Sequence, residues 1–274
     1  MKTAAIALAA ALTLPLALLG QMRDNRDKSL ACQDYSYHRY WRFNRFEAHR
    51  CDIREQTVAS TGRIRADPGR NGSVTVKGWT RNDVLVRSRV DAWARRDSDA
   101  AMLMTEVHVD ASNGSVTASG PSNWDDEGWS VSYEIFVPQK TSVDARAVNG
   151  GFSVSDVEGT MHLETTNGGI NLNRVAGDVS GETRNGGVNV ELEGSTWRGR
   201  QLDVETKNGG VNVSMPSNYS ARLEAETVNG RVISDVPMVV RGWLRRQSLD
   251  GTIGSGGPLI HVSTVNGGVV LRRS

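Results

Sequence analysis

Asn-Gly recurs six times in the second half of this 274-residue chain, each time inside the same flanks. The pairs are Asn149-Gly150, Asn167-Gly168, Asn185-Gly186, Asn208-Gly209, Asn229-Gly230 and Asn266-Gly267. A second Gly follows in every case but one, where Arg231 stands instead. Successive Asn residues are 18, 18, 23, 21 and 37 positions apart. The last step spans about two units, and Leu249-Asp250-Gly251-Thr252-Ile253 near its middle reads as a degenerate copy. Two places before each Asn stand Ala147, Thr165, Thr183, Thr206, Thr227 and Thr264, and the positions four and six before are small or apolar. Three places after come Phe152, Ile170, Val188, Val211, Val232 and Val269. Period two on both sides of a turn is the mark of strands with one buried face.

A strand-turn-strand unit of about 18–23 residues is too short to bury its own apolar face, and columns aligned at matching offsets are what stacked coils need. The prediction is an all-β chain, a β-solenoid (β-helix-like), in which the Asn side chains stack into an amide ladder and Gly supplies positive φ. Asn-Gly is also the strongest short hairpin signal, so a series of antiparallel hairpins is the competing fold. The chain has 29 Gly but only 7 Pro, which fits repeated turns and not a low-complexity linker. Asn71-Gly72 and Asn113-Gly114 read as weaker upstream copies. Val84 to Val90 and Val131 to Val137 read as strands, and residues 97–106 as a short helix. The repeat region is placed at 57–274, after a polar and aromatic lead-in at 21–56.

Residues 1–20 read as an export signal. Lys2 is followed by the uncharged run Ala4 to Leu19, and charges return at Arg23. The alternative is an uncleaved membrane anchor. Cys32 and Cys51 are the only cysteines, and an even count in an exported chain favours one disulfide. A metal pair with His38 or His49 is the weaker alternative, because the spacing matches no zinc pattern.

These features resemble the bacterial putative-adhesin family, also called the toast-rack domain family. The signal, the Thr-x-Asn-Gly-Gly-Val repeats and the stretch from Gly69 to Trp79 leading into Val84 to Trp93 carry the resemblance, over roughly residues 57–274. It implies a β-helix-like stack, an envelope location, and a link to adhesion or envelope-stress sensing. It lends no catalytic residues. Arg231 and the segment 235–258, with Pro237, Pro258 and Arg241, Arg245 and Arg246, depart from the pattern.

No zincin motif, nucleophile elbow or phosphate-binding loop is present. His162 and His261 fall on outward columns and read as surface residues, not ligands. Neither catalytic residues nor a cofactor or metal are expected. Three features offer binding chemistry. Glu164, Glu182, Glu205 and Glu226 form an outward column whose stacked carboxylates would repel unless a cation relieved them; a solvated face is the plainer reading. Trp124 and Trp129 flank Asp125, Asp126 and Glu127, as a sugar or peptide platform or as a cap on an open end. Tyr35 to Arg50 interleaves aromatic and basic residues, suited to nucleic acid or lipid headgroups. Lys+Arg is 32 against Asp+Glu 31, so the net charge of +1 argues against a nucleic-acid partner.

The sequence thus reads as an exported, non-enzymatic envelope protein of the periplasm, the cell surface or the outer face of a bacterial membrane. Its expected role is adhesin-like or structural. Its expected partner is a cell-surface glycan, the cell wall or an envelope protein, with membrane association if the N-terminal segment is retained. An extracytoplasmic stress sensor is the alternative, and a polysaccharide-acting enzyme comes third. The register makes a test. Val188→Asp places a charge in the interior and costs several kcal/mol, at least ~2. Asn189→Asp, turned to solvent, is expected to be nearly neutral. Gly186→Val is expected to destabilise through its positive φ. Thermal melts of the three variants check the alternation.

Overall fold

The computed structural model describes residues 24–32, 48–124, 126–240 and 246–274. The expected export segment lies outside them, as do all the aromatic and basic residues from Tyr35 to Phe46. The first part of the described chain contains β1 (Ala48–Ala59), β2 (Arg63–Asp67), β3 (Val74–Trp79), β4 (Asp83–Ala94), α1 (Asp97–Glu106), β5 (His108–Ser112), β6 (Ser115–Ser119) and β7 (Gly128–Pro138). Four strand pairs then repeat: β8 (Ser142–Asn149) with β9 (Phe152–Ser155), β10 (Glu158–Asn167) with β11 (Ile170–Asn173), β12 (Ala176–Asn185) with β13 (Val188–Glu191), and β14 (Gln201–Asn208) with β15 (Val211–Met215). The rest is β16 (Ala221–Asn229), β17 (Val232–Ser234), β18 (Met238–Val240), β19 (Ser248–Ile253), β20 (Leu259–Asn266) and β21 (Val269–Arg273).

The strand before each Asn-Gly joins one sheet and the strand after it joins another. Sheet A runs β1-β4-β7-β3-β9-β11-β13-β15-β21-β17, and sheet B runs β18-β19-β16-β20-β14-β12-β10-β8-β2-β6-β5. Coil neighbours pair in parallel and in register, Asn167 with both Asn149 and Asn185, and Asn208 with Asn266. The two sheets share one core. Met161, Val179, Leu202 and Ile260 come from sheet B, and Phe152, Ile170, Val188 and Val211 from sheet A, all essentially inaccessible.

Three side-chain columns fit the corner to this spacing. The Asn amides form one continuous ladder, with Nδ2 of Asn149, Asn167, Asn185, Asn208, Asn266 and Asn229 donating to the preceding Asn Oδ1 at 2.7–2.9 Å, and Asn71 at its start. The buried Thr column donates to the first Gly carbonyl of the adjoining coil: Thr165 to Gly150, Thr183 to Gly168 and Thr206 to Gly186, each at 2.7 Å. The first Gly is required for lack of space. A Cβ on Gly186 would lie 2.1 Å from the Gly168 carbonyl oxygen, and one on Gly209 the same distance from that of Gly186. Neither residue has positive φ, contrary to the sequence expectation. Left-handed backbone is used at Asn113 (φ 49°) and Gly114 (φ 73°), where β5 and β6 form a true antiparallel hairpin and not a coil.

Other expectations also change. β19, which includes Leu249 to Ile253, is no repeat copy; it pairs antiparallel with β16 and covers its edge. The coil made by β20 and β21 inserts between the β14–β15 coil and the β16–β17 coil, so sequence order and stacking order part at the last two units. Arg231 is tolerated because it sits in the final coil, where its carbonyl still receives the Val269 amide (3.1 Å). The boundary placed at residue 57 falls inside β1, which pairs with β4 along its whole length. Helix α1 spans the expected residues and lies against β4 and β1.

The corner sets two adjacent glycines apart. A Cβ on Gly187 would lie 3.3 Å from the Gly210 carbonyl oxygen, in place of the 2.1 Å at Gly186. Gly186→Ala is therefore expected to cost about 1–3 kcal/mol as overpacking. Gly187→Ala stays within ~1 kcal/mol of wild type. Denaturant titration of the pair decides the matter, and equal losses would return the explanation to backbone conformation.

Candidate functional site

The outer face of sheet B is a grid set by the register. The row three before each Asn reads Arg146, Glu164, Glu182, Glu205, Ser263, Glu226, so the glutamates do not form one unbroken column. Ser263 separates Glu205 from Glu226 because β20 intervenes. Arg146 lies 3.8 Å from Glu164 and 3.9 Å from Asp144. Further along the face, Glu182, Glu205, Glu226, Lys207, Gln247 and Ser263 line an open groove, with Val228 and Val265 at its corner side. One row nearer the strand starts, Asp203 on β14 is paired with His261 on β20, and the imidazole Nδ1 is 2.7 Å from an Asp203 carboxylate oxygen. The groove therefore carries an excess of carboxylate on a rigid, parallel backbone.

The outer face of sheet A holds a second amide ladder that the sequence reading missed. Asn189 donates to Asn171 and Asn212 donates to Asn189, both at 2.9 Å. Its signal was the Asn four places beyond three of the turn Asn residues, Asn167, Asn185 and Asn208. Asn189 is exposed as expected, but Asn189→Asp breaks a donor in this ladder and so costs about 0.5–1.5 kcal/mol.

Near the amino-terminal end, residues 24–32 strap across the same sheet. Asp24 accepts the Thr80 amide (2.8 Å), Lys77 Nζ donates to the Asp27 carbonyl (2.6 Å), and Lys28 pairs with Glu55 (2.9 Å). Cys32 is disulfide-bonded to Cys51 on β1, closing the strap. Its anchor is Glu134, an acid inside an apolar strand and only 1% exposed. Glu134 accepts the Ser29 amide (2.8 Å), the Ser29 hydroxyl (2.7 Å) and the Leu30 amide (3.2 Å), and pairs with Lys77 (2.9 Å) and Arg87.

The two tryptophans do different things. Trp129 is half-buried against the core, its indole N–H donates to the Pro121 carbonyl (2.7 Å), and Asn123 holds its backbone from both sides. Trp124 is exposed on the tight loop before it. Of the aromatic and basic stretch, Arg50 is described, and it pairs with Asp97 at the start of α1. His162 lies on the outer face, in register with Asp144.

A family model described as Toastrack DUF4097 matches residues 70–272. None of the curated proteins matches this sequence. Among solved structures, the chain is similar to a "putative cell adhesion protein" from Clostridium sporogenes ATCC 15579, at 12% identity and a TM-score of 0.45 over 82% of this chain and 100% of that one. It is also similar to a "putative adhesin" from Bacteroides fragilis NCTC 9343, at 10% identity and a TM-score of 0.38 over 82% and 97%. A "putative lipid binding protein" from Parabacteroides distasonis ATCC 8503 shows 11% identity and a TM-score of 0.32 over 82% and 96%.

The Glu134 anchor makes the strap sensitive to acid. Burial pushes the Glu134 carboxyl up, but hydrogen bonds from Lys77, Ser29 and Arg87 outweigh it and bring the group from 4.5 down to about 2. A depressed carboxyl stabilises the fold above its unfolded value, and that contribution is lost as pH falls towards the folded value. The strap is therefore secure above pH 4.5 and loosens between there and about 2. The protection of amides in residues 24–32, taken relative to the intrinsic exchange rate at each pH, is expected to fall across this window, while that of β12 and β13 holds. Glu134→Gln should exchange quickly at neutral pH and show no step.

Proposed function

This chain belongs to the Toastrack family, and we propose that it is an exported, non-enzymatic β-solenoid of the bacterial envelope that binds a partner through its strand faces. The observation that carries the reading is the sheet B groove, where Glu182, Glu205 and Glu226 stand on strands held in register by the corner ladders. A preorganised polar surface loses little entropy on binding. Its acidic excess suits a partner rich in amino and hydroxyl groups, such as a cell-wall polymer or cell-surface glycan. Export is supported by the Cys32–Cys51 bond, since disulfides persist outside the reducing cytosol. Among the described residues no helix is long and apolar enough to cross a membrane.

A binding screen of purified residues 21–274 against cell-wall fragments and glycans tests this. A specific ligand is expected, and the combined change Glu182→Gln, Glu205→Gln, Glu226→Gln should weaken it at least tenfold, or ~1.4 kcal/mol. Unchanged affinity in the triple variant would move the binding surface away from this groove. N-terminal sequencing of the exported protein is expected to start near residue 21; a retained Met1 would favour a membrane-anchored stress sensor instead.

A further inference from the structure

We propose that Asp203, Glu205 and His261 bind one divalent cation of the zinc class on the outer face of sheet B. The proposal goes beyond the groove's partner and does not depend on what that partner is. Asp203 and Glu205 are two residues apart on β14, so both carboxylates leave the same face of the strand. His261 arrives beside Asp203 from β20. One donor atom from each of the three lies within 4.8 Å of the other two. An ion with bonds of about 2.0–2.2 Å needs donors within ~4.4 Å of one another, so closing on it takes only small rotations of these partly exposed side chains. Both strands are paired on each side, β14 by β12 and β20, and β20 by β14 and β16, so the donors stand on fixed backbone.

Several acids of this face are matched by arginine, whereas Glu182 and Glu226, like the cluster, have no arginine or lysine at ion-pair distance among the described residues. Arg146 serves Asp144 and Glu164, Arg198 serves Glu158 (3.3 Å), Arg200 serves Asp178 (2.7 Å), and Arg222 serves Glu224. Among the described residues, no Lys or Arg reaches ion-pair distance of Asp203 or Glu205; their recorded ionic contact is the Asp203–His261 pair. The stacking order matters here. Had β16 followed β14, Asp203 would face Glu224; the inserted coil gives it an imidazole instead. His261 and Asp203 are 25% and 36% exposed at the side chain, open enough for an ion to enter and for water to complete its shell. An imidazole nitrogen with two carboxylates favours zinc, cobalt or nickel over calcium, which takes oxygen donors.

Isothermal titration of the purified chain, its disulfide intact, with zinc and then calcium tests the assignment. One zinc per chain is expected, with calcium at least tenfold weaker. His261→Gln and Asp203→Asn should each lose at least tenfold in zinc affinity, while His162→Gln, on the same face beside Asp144, keeps the wild-type value. Metal-free melts of the variants should match wild type and so separate binding from folding. Zinc binding that is absent, that survives both His261→Gln and Asp203→Asn, or that falls equally in His162→Gln overturns the proposal, as does calcium binding as tight as zinc.

Discussion

The distance between adjacent coils at the Asn-Gly corner governs the stack. Parallel strands lie ~4.8 Å apart, and a corner following that spacing brings one backbone onto the next with no room for a side chain. Gly answers the steric demand, since a Cβ at Gly168 would sit 2.2 Å from the Gly150 carbonyl oxygen. That carbonyl would otherwise be buried without a partner, and the Thr165 hydroxyl supplies one. Asn answers the same spacing at the surface, where a primary amide can both donate and accept along the stack. The motif Thr-x-Asn-Gly is therefore one geometric requirement met by two side chains and the lack of a third.

Much of this was legible because inward and outward positions alternate without interruption. The columns at Val188 and Val211, the strands around Val84 and Val131, helix α1 and the cysteine pair could all be read from composition and spacing. The function of the glycines could not, because Asn-Gly serves two geometries. At 113–114 both residues are left-handed and close a hairpin, whereas at 185–186 neither is. Nor could coil order be read. Thr206, Thr264 and Thr227 have nearly identical surroundings in the sequence, so periodicity shows that the coils stack but not which rests on which. Only the 37-residue step to Asn266 hinted at an excursion. Glu134 was hidden inside Val131–Val137, where one acid among apolar residues gives no sign of the distant Ser29 that meets it.

A parallel stack has two open ends, and unpaired strand edges invite pairing with other chains. Antiparallel strands extend one sheet at each end here, while β17 stays as the parallel edge of sheet A. At one end β4 turns against β7 and β1 adds to it; at the other β19 runs against β16 and β18 against β19. The outer face of sheet B and the part of sheet A beyond the strap carry ordered polar rows, the glutamates on one and the Asn171–Asn189–Asn212 ladder on the other.

The inserted coil has a consequence for how the molecule is made. β16 and β17 leave the growing chain before β20 and β21, yet rest on them in the finished stack. The strands made earlier cannot take their final places until the later ones have been delivered. A chain halted near residue 255 would lack an internal course of the masonry, with β14 and β16 facing each other across an absent layer. Closure of the stack thus waits on the last stretch of translation, and an incomplete chain keeps unpaired strand edges on both sides of the gap.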